Sequence, residues 1–276
     1  MTISTWLKST ELELVQAGIG TAHLDALVLL EDVTGIGRAR LLAEPNQEIT
    51  SDQLATLEKL LKRRVQHEPL AYVRGRTEFY GRNFVVTPAV LEPRPESETM
   101  IDLLKSYVIP ALKREFGQKE LHIADVGTGS GALGITAKLE LPEVSVELLE
   151  IDSKALKIAK INVDLHTTSI VITPSDLLAG SRTDFDVLLC NLPYVPDDYH
   201  INTSAMHEPT LAIFGGPDGL DLYRKLFKQA QKRPFQPLYI LTEALPPQHN
   251  ALAKIATAHG YHLQQTDDFI QLFRKA

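Results

Sequence analysis

Leu121-His122-Ile123-Ala124-Asp125-Val126-Gly127-Thr128-Gly129-Ser130-Gly131 is an apolar run that ends in a carboxylate and a glycine-rich turn, and Ala132 to Leu139 follows it with helical spacing. Leu121 to Val126 reads as a buried strand. The glycines let the backbone turn tightly and let a ligand approach where no Cβ stands in the way. Outward from this turn, strands and helices alternate. Val144 to Leu149 reads as a strand, Lys154 to Leu165 as a helix, and Ile170 to Thr173 and Phe185 to Cys190 as strands. Leu220 to Gln231 reads as a helix, Leu238 to Thr242 as a strand, Gln248 to His259 as a helix, and Tyr261 to Phe273 as one or two short final strands. Such alternation predicts an α/β fold, a doubly wound sheet with helices on both faces.

Upstream the pattern is helical. Trp6, Leu7, Leu12, Leu14 and Val15 form one apolar stripe, Leu24, Leu27, Val28 and Leu30 a second, and Leu54, Leu57, Leu60 and Leu61 a third, with Ser51-Asp52 as the expected N-cap of the last. Glu78 to Val86 reads as a β-hairpin with Gly81 near its turn. Pro95 suits the first turn of a helix running through Met100 toward Leu112, and Glu96 and Glu98 suit its N-terminal dipole. Arg94, between Pro93 and Pro95, is expected in an extended segment. The organisation is then a helical bundle over 1–74, a hairpin linker over 75–92 and an α/β domain over 93–276. Arg63, Arg64, Arg74, Arg76, Arg82 and Arg94 make the junction locally basic, which reads as a solvated face.

The 276 residues carry a formal net charge of −7, which argues against a protein that coats nucleic acid. One cysteine, Cys190, precludes an internal disulfide and fits a reducing compartment. No signal peptide is visible at Met1 to Trp6, and no apolar run reaches spanning length, so a cytoplasmic protein is expected. The histidines show no metal-ligand spacing, and no Gly-x-Ser-x-Gly elbow occurs.

Ligands of open α/β sheets bind at the carboxyl ends of the strands. Gly127-x-Gly129-x-x-Ala132 satisfies the dinucleotide fingerprint, so glycines alone do not separate a nicotinamide dehydrogenase from an S-adenosylmethionine enzyme. Three further stretches do. Leu149-Glu150-Ile151-Asp152 ends the next strand, where a carboxylate accepts both ribose hydroxyls; Ser175-Asp176-Leu177 follows the third strand, where a carboxylate accepts from an adenine amino group. Asp125 stands where it would accept from a ligand's ammonium. The fourth strand ends in Asn191-Leu192-Pro193-Tyr194, for which hydride transfer has no evident use. An Asn side-chain carbonyl, a backbone carbonyl and an aromatic face suit a planar amino group. Accepting its N–H bonds aims its feebly nucleophilic lone pair and stabilises the charge that develops on attack.

These residues resemble the bacterial peptide chain release factor glutamine methyltransferases, and the resemblance covers most of the chain. Glu68-Pro69-Leu70-Ala71-Tyr72, Glu78-Phe79-Tyr80-Gly81 and Pro93-Arg94-Pro95-Glu96-Ser97-Glu98 are similar to the family's linker signature. Asp125 to Gly131 is similar to its S-adenosylmethionine loop, and Glu208-Pro209 with Ala212 to Leu220 is similar to the segment after its catalytic loop. The resemblance implies a helical bundle, a β-hairpin and a seven-stranded, Rossmann-like methyltransferase domain. It implies methylation of the glutamine side-chain amide in the Gly-Gly-Gln loop of class I release factors. A monomer with no stable nucleic-acid partner, no membrane partner and no metal is expected. The resemblance implies cofactor contacts from Asp125, Gly127, Thr128, Gly129, Gly131, Glu150, Ile151, Asp176, Leu177 and Asn191. It implies a catalytic and substrate-binding loop of Asn191, Leu192, Pro193 and Tyr194, with Tyr194 as a wall, and substrate contacts from Arg94 and Glu208.

Departures are visible. Leu192 replaces a proline, Glu92 an apolar residue, and Thr242-Glu243-Ala244 stands where Glu-x-Gly is usual. Asn-Leu-Pro-Tyr is also the form found in ribosomal RNA adenine dimethyltransferases. RNA adenine N6-methylation and a degenerate, non-enzymatic binding relative therefore stand as alternatives.

Overall fold

The computed structural model describes residues 1–276. They form two compact units, Met1–Arg76 with Ile201–His207, and Thr77–His200 with Glu208–Ala276.

The smaller unit comprises helices α1 (Ile3–Gln16), α2 (Ala22–Thr34), α3 (Arg38–Ala43), α4 (Ser51–Val65) and α5 (Leu70–Arg74). Ile3, Trp6, Leu14, Leu29, Leu30 and Leu57 lie in its core. Leu12, Val15 and Leu24 are exposed, contrary to their place in the expected stripes. Helix α1 buries positions 3, 6, 10 and 14, and Leu12 falls on the opposite side of that face. The N-cap of α4 is Thr50, not Ser51-Asp52; its hydroxyl accepts from Gln53 N, and the Gln53 side chain accepts from Thr50 N.

The arginines are not a free basic face. Arg63 pairs with Glu68, Arg64 with the buried Asp25 at 2.7 Å, and Arg74 and Arg76 with Asp32. Within the larger unit Arg82 pairs with Glu140 and Arg94 with Glu208.

Strands β1 (Arg76–Phe79) and β2 (Arg82–Val85) form the hairpin. Tyr80 and Gly81 both take positive φ, the two-residue turn that matches strand twist. The hairpin is anchored rather than loose. Phe79 and Phe84 lie in the main core, and Asn162 bonds both the N–H and the carbonyl of Val85 while donating to Ser130 O of the glycine turn.

The remaining strands, β3 (His122–Val126), β4 (Ser145–Glu150), β5 (Val171–Pro174), β6 (Val187–Cys190), β7 (Tyr239–Glu243), β8 (Tyr261–Asp267) and β9 (Ile270–Lys275), form a seven-stranded sheet of order β5-β4-β3-β6-β7-β9-β8. It is parallel from β5 to β7, and β9 is antiparallel to both neighbours. Helices α6 (Glu98–Leu103), α7 (Ile109–Phe116), α8 (Ala132–Glu140), α9 (Ser153–Leu165), α10 (Asp221–Lys232) and α11 (His249–Ala258) complete the unit. A π-turn over Leu104–Val108 interrupts the α6–α7 run next to Pro110, which lacks the N–H a regular helix needs.

Alternate strand residues feed two cores. Ile123, Val187 and Leu189 face one; Ala124, Val126, Leu188 and Cys190 face the other. The last two strands are not short: β8 has 7 residues and β9 has 6. Strand order reverses between β3 and β6, so their carboxyl ends flank a crevice.

Candidate active site

The turn after β3 is built from within. Gly127, Gly129 and Gly131 take φ of 70°, 54° and 86°. The N–H groups of Gly127 and Thr128 donate to Leu149 O at the end of β4. Thr128 Oγ1 and Gly134 N both donate to Asp125 Oδ2, at 2.5 and 2.8 Å. Burial pushes the Asp125 carboxyl up to about 6, against the pull of those bonds. Asp125 and Thr128 therefore brace the turn with groups that were expected to face a ligand. The second Asp125 oxygen makes no hydrogen bond, and the residue borders a small cavity of about 60 Å³.

A larger cavity of about 270 Å³ opens over the strand ends. It gathers Gly127, Gly129, Glu150, Ile151, Asp176, Leu177, Asn191, Leu192 and Pro193 of the predicted site. Gly131, Arg94, Glu208 and Tyr194 do not line it. Gly131 sits back at the N-terminus of α8, where an added Cβ would meet Ile135 Cδ1 at 2.9 Å. Arg94 donates to both oxygens of Glu208, at 2.8 and 2.7 Å. Burial raises the Glu208 carboxyl and the Arg94 charge opposes it.

Glu150 is buried, and its Oε1 accepts from Ile151 N and Asp152 N and its Oε2 from Gly129 N. Of roughly four acceptor positions on a carboxylate, three are filled. Glu150 is thus left able to accept one more donor, fewer than the pair expected from its position alone. Ile151 on the cavity wall is 59% exposed, an apolar surface open to a ligand. Asp176 pairs with Lys225 at 2.5 Å, and both line the cavity. Leu177 holds φ of 55°, a strained value for a leucine, clasped by a hydrogen bond from Ser175 Oγ to its carbonyl.

The loop after β6 is fixed from several sides. Asn191 Nδ2 donates to Ser97 Oγ at 3.0 Å, and Ser97 Oγ donates to Glu243 Oε2 at 2.5 Å. Tyr194 OH donates to Glu243 Oε1 at 3.1 Å. Tyr223 OH has the carbonyls of Glu243 and Cys190 as acceptors for its one proton, at 2.5 and 3.1 Å. Asn191 Oδ1 and the Leu192 carbonyl make no hydrogen bond, and both residues line the cavity.

Leu192 is buried. An added Cβ at Gly127 would stand 2.8 Å from its Cδ2, so the two loops touch. Cβ atoms on Gly215 and Gly219 would collide with the carbonyls of Pro193 and Tyr194. Gln248 Nε2 donates to Tyr194 O and Asp218 O, at 2.7 and 2.8 Å. The Gly-Gly-Pro-Asp-Gly segment is therefore a backbone cradle for the loop. Burial raises the Glu243 carboxyl, opposed by its bonds from Ser97, Tyr194 and Asn191.

Sequence reasoning missed Ser97, Tyr223, Glu243 and Gln248. The available signal was an acid ending the apolar strand Tyr239-Ile240-Leu241-Thr242-Glu243, a position costly to fill with a charge unless it is bonded.

Family models described as the PrmC N-terminal domain and the methyltransferase small domain match residues 5–75 and 97–208. A release factor glutamine methyltransferase of Coxiella burnetii is 34% identical over 248 residues, covering 87% of this chain and 85% of that one. One from Bacillus anthracis is 35% identical over 208 residues, covering 73% and 72%. Among solved structures, the hMettl16 catalytic domain in complex with an RNA hairpin covers 82% of each chain at 12% identity, with a TM-score of 0.53, a likeness of fold. The length and extent of the bacterial matches are those of common descent, and the chain belongs to the release factor glutamine methyltransferase family.

Proposed function

We propose that this protein transfers a methyl group from S-adenosylmethionine to the side-chain amide nitrogen of the glutamine in the Gly-Gly-Gln loop of class I peptide chain release factors. The observation that carries this reading is that Asn191 and Leu192 both line the cavity and each keeps an unengaged acceptor, Asn191 Oδ1 and the Leu192 carbonyl. Two acceptors at one site fit the two N–H bonds of a primary amide.

The cavity fits the cofactor. Gly129 lines the cavity with open space where a Cβ would stand, Ile151 offers an uncovered apolar wall, and Glu150 and Asp176 are the acceptors for a ribose hydroxyl and an adenine amino group. The free oxygen of Asp125 and the small adjoining cavity suit the amino-acid end. Bound S-adenosylmethionine supplies an electrophilic methyl whose bond to sulfur breaks as the bond to nitrogen forms, leaving a neutral thioether. Asn191 and the Leu192 carbonyl hold the amide so that its lone pair faces that methyl, and they stabilise the positive charge arriving on nitrogen. The methylated nitrogen is acidic and releases its proton to water, so no strong general base is required.

Arg94 and Glu208, paired with each other, support the segment that leads to the site rather than touching substrate. The smaller unit is the element assigned to recognition of the release factor. The arginines that an RNA substrate would use are paired with carboxylates. No helix is long and apolar enough to cross a membrane. We place the protein in the cytoplasm, as a monomer, beside its substrate.

Mass spectrometry of the Gly-Gly-Gln peptide, after incubating a release factor with the protein and cofactor, tests the reading. Gain of one methyl on glutamine is expected. Asn191→Ala is expected to abolish that gain while leaving S-adenosylmethionine affinity within about threefold, because the losses are the substrate amide contact and the bond to Ser97. Full transfer by the variant would remove Asn191 from the mechanism.

A further inference from the structure

We propose that Glu243 and Ser97 are positioning residues that fix which end of the Asn191 amide faces the cavity. The inference rests on the reading above, in which Asn191 accepts from the substrate amide. The two ends of an Asn side chain are nearly the same size, so packing alone discriminates them poorly; hydrogen bonding has to choose.

The choice follows from proton counting. Glu243 is 1% exposed at the end of β7, next to the end of β6. As a carboxylate it only accepts, from Tyr194 OH on Oε1, from Ser97 Oγ on Oε2 and from the Asn191 side chain, which again requires the Nδ2 end. Ser97 has one proton and has given it away. Toward Asn191 it can only accept, so Asn191 must present Nδ2, as it does at 3.0 Å. The planar amide then turns Oδ1 away, unengaged, as the acceptor a glutamine amide needs. The reversed amide would set two lone pairs against each other at Ser97 and offer the substrate a donor where it also donates.

Protonating Glu243 removes the bias, since a carboxylic acid donates to Ser97 and frees the hydroxyl proton for Oδ1. The groups facing Glu243 are Glu96 and Ser97 ahead of α6, Asn191 and Tyr194 on the loop, and Tyr223 of α10 at its carbonyl, with His249 of α11 at the carbonyl of Ala244. Burial is the largest cause holding the carboxyl above the ordinary glutamate range, the Glu96 charge adds to it, and the bonds from Ser97, Tyr194 and Asn191 oppose it. The oriented form is therefore lost as pH falls, sooner than for an exposed glutamate.

The test uses the full chain with S-adenosylmethionine and a purified class I release factor. Ser97→Ala is expected to lower kcat about 10- to 100-fold through a misdirected amide, with cofactor affinity within about twofold, and Ser97→Thr to restore most of it. The ratio of wild-type to Glu243→Gln kcat is expected to be largest at neutral pH and to shrink on acidification; taking the ratio cancels other titrating groups, Asp125 among them. Wild-type kcat in Ser97→Ala would overturn the proposal. So would a loss that follows cofactor affinity or melting temperature and that threonine does not restore. A readout without substrate separates this inference from the function it rests on: proton exchange of the Asn191 side-chain amide, followed by 15N NMR, is slowed by the bond to Ser97 and speeds up in Ser97→Ala. Equal exchange in both proteins overturns the relay. Slowed exchange in a wild type that fails to methylate the release factor supports the relay and counts against the substrate alone.

Discussion

Leu192 shows how one residue can couple two loops. Where the family resemblance leads one to expect a proline that stiffens Asn191, this chain buries a leucine against Gly127. The restraint passes from a ring in the backbone to contact with the glycine turn. Gly127→Ala meets two obstacles, a φ of 70° and a Cβ that would lie 2.8 Å from Leu192 Cδ2. The left-handed backbone alone costs about 1–2 kcal/mol, and Leu192→Ala is expected to cost about 2 kcal/mol. Only the collision is relieved when both are changed. The double variant is therefore expected to be more stable than the sum of the singles by at least about 0.5 kcal/mol in urea unfolding. Strict additivity would mean that the loops do not touch. The Leu192 carbonyl is untouched by this trade, which is why the departure from proline leaves the acceptor pair intact.

At the scale of elements, the site is a set of strand ends held by a backbone cradle. Gly215 and Gly219 lie where any side chain would strike the carbonyls of Pro193 and Tyr194, and Gly219 also holds φ of 76°. Gly219→Ala is expected to lower kcat at least about tenfold, because the loop is displaced, at a stability cost of about 1–3 kcal/mol. Unchanged kcat, read beside urea unfolding of the same variant, would show that the cradle does not position the loop. The elements themselves were legible in sequence. Strands β3 to β7 and helices α8 to α11 were found, with ends off by a residue or two, because periodicity reports which face is buried; the last two strands were left as one or two, and the helix read toward Leu112 is interrupted and runs to Phe116. The pairing of Asn191 with Ser97 was not legible. The two are 94 positions apart, and nothing local in either stretch encodes the other.

At the scale of the molecule, two units with separate cores carry separate tasks in the function proposed here. The smaller unit is held in part by a buried ion pair, Arg64 with Asp25. Removing one partner leaves the other charge uncompensated, at a cost of about 3–5 kcal/mol. Asp25→Ala is therefore expected to loosen the smaller unit, raising KM for the intact release factor while S-adenosylmethionine affinity stays within about twofold. A change in cofactor affinity as large as the change in KM would reject the division of labour. Sequence by itself determined the class of fold, the glycine turn, the acids at successive strand ends and the Asn-Leu-Pro-Tyr loop, because each is written in contiguous residues whose spacing reflects burial or turn geometry. It also supplied the family resemblance. Tertiary structure alone decided which of those groups remain free. One oxygen of Asp125, the Thr128 hydroxyl, Arg94 and most of the acceptor capacity of Glu150 are engaged within the protein, while Asn191 Oδ1 and the Leu192 carbonyl are not. Hydrogen bonds are settled between partners distant in sequence, and a side chain's capacity for a ligand is what those partners leave over.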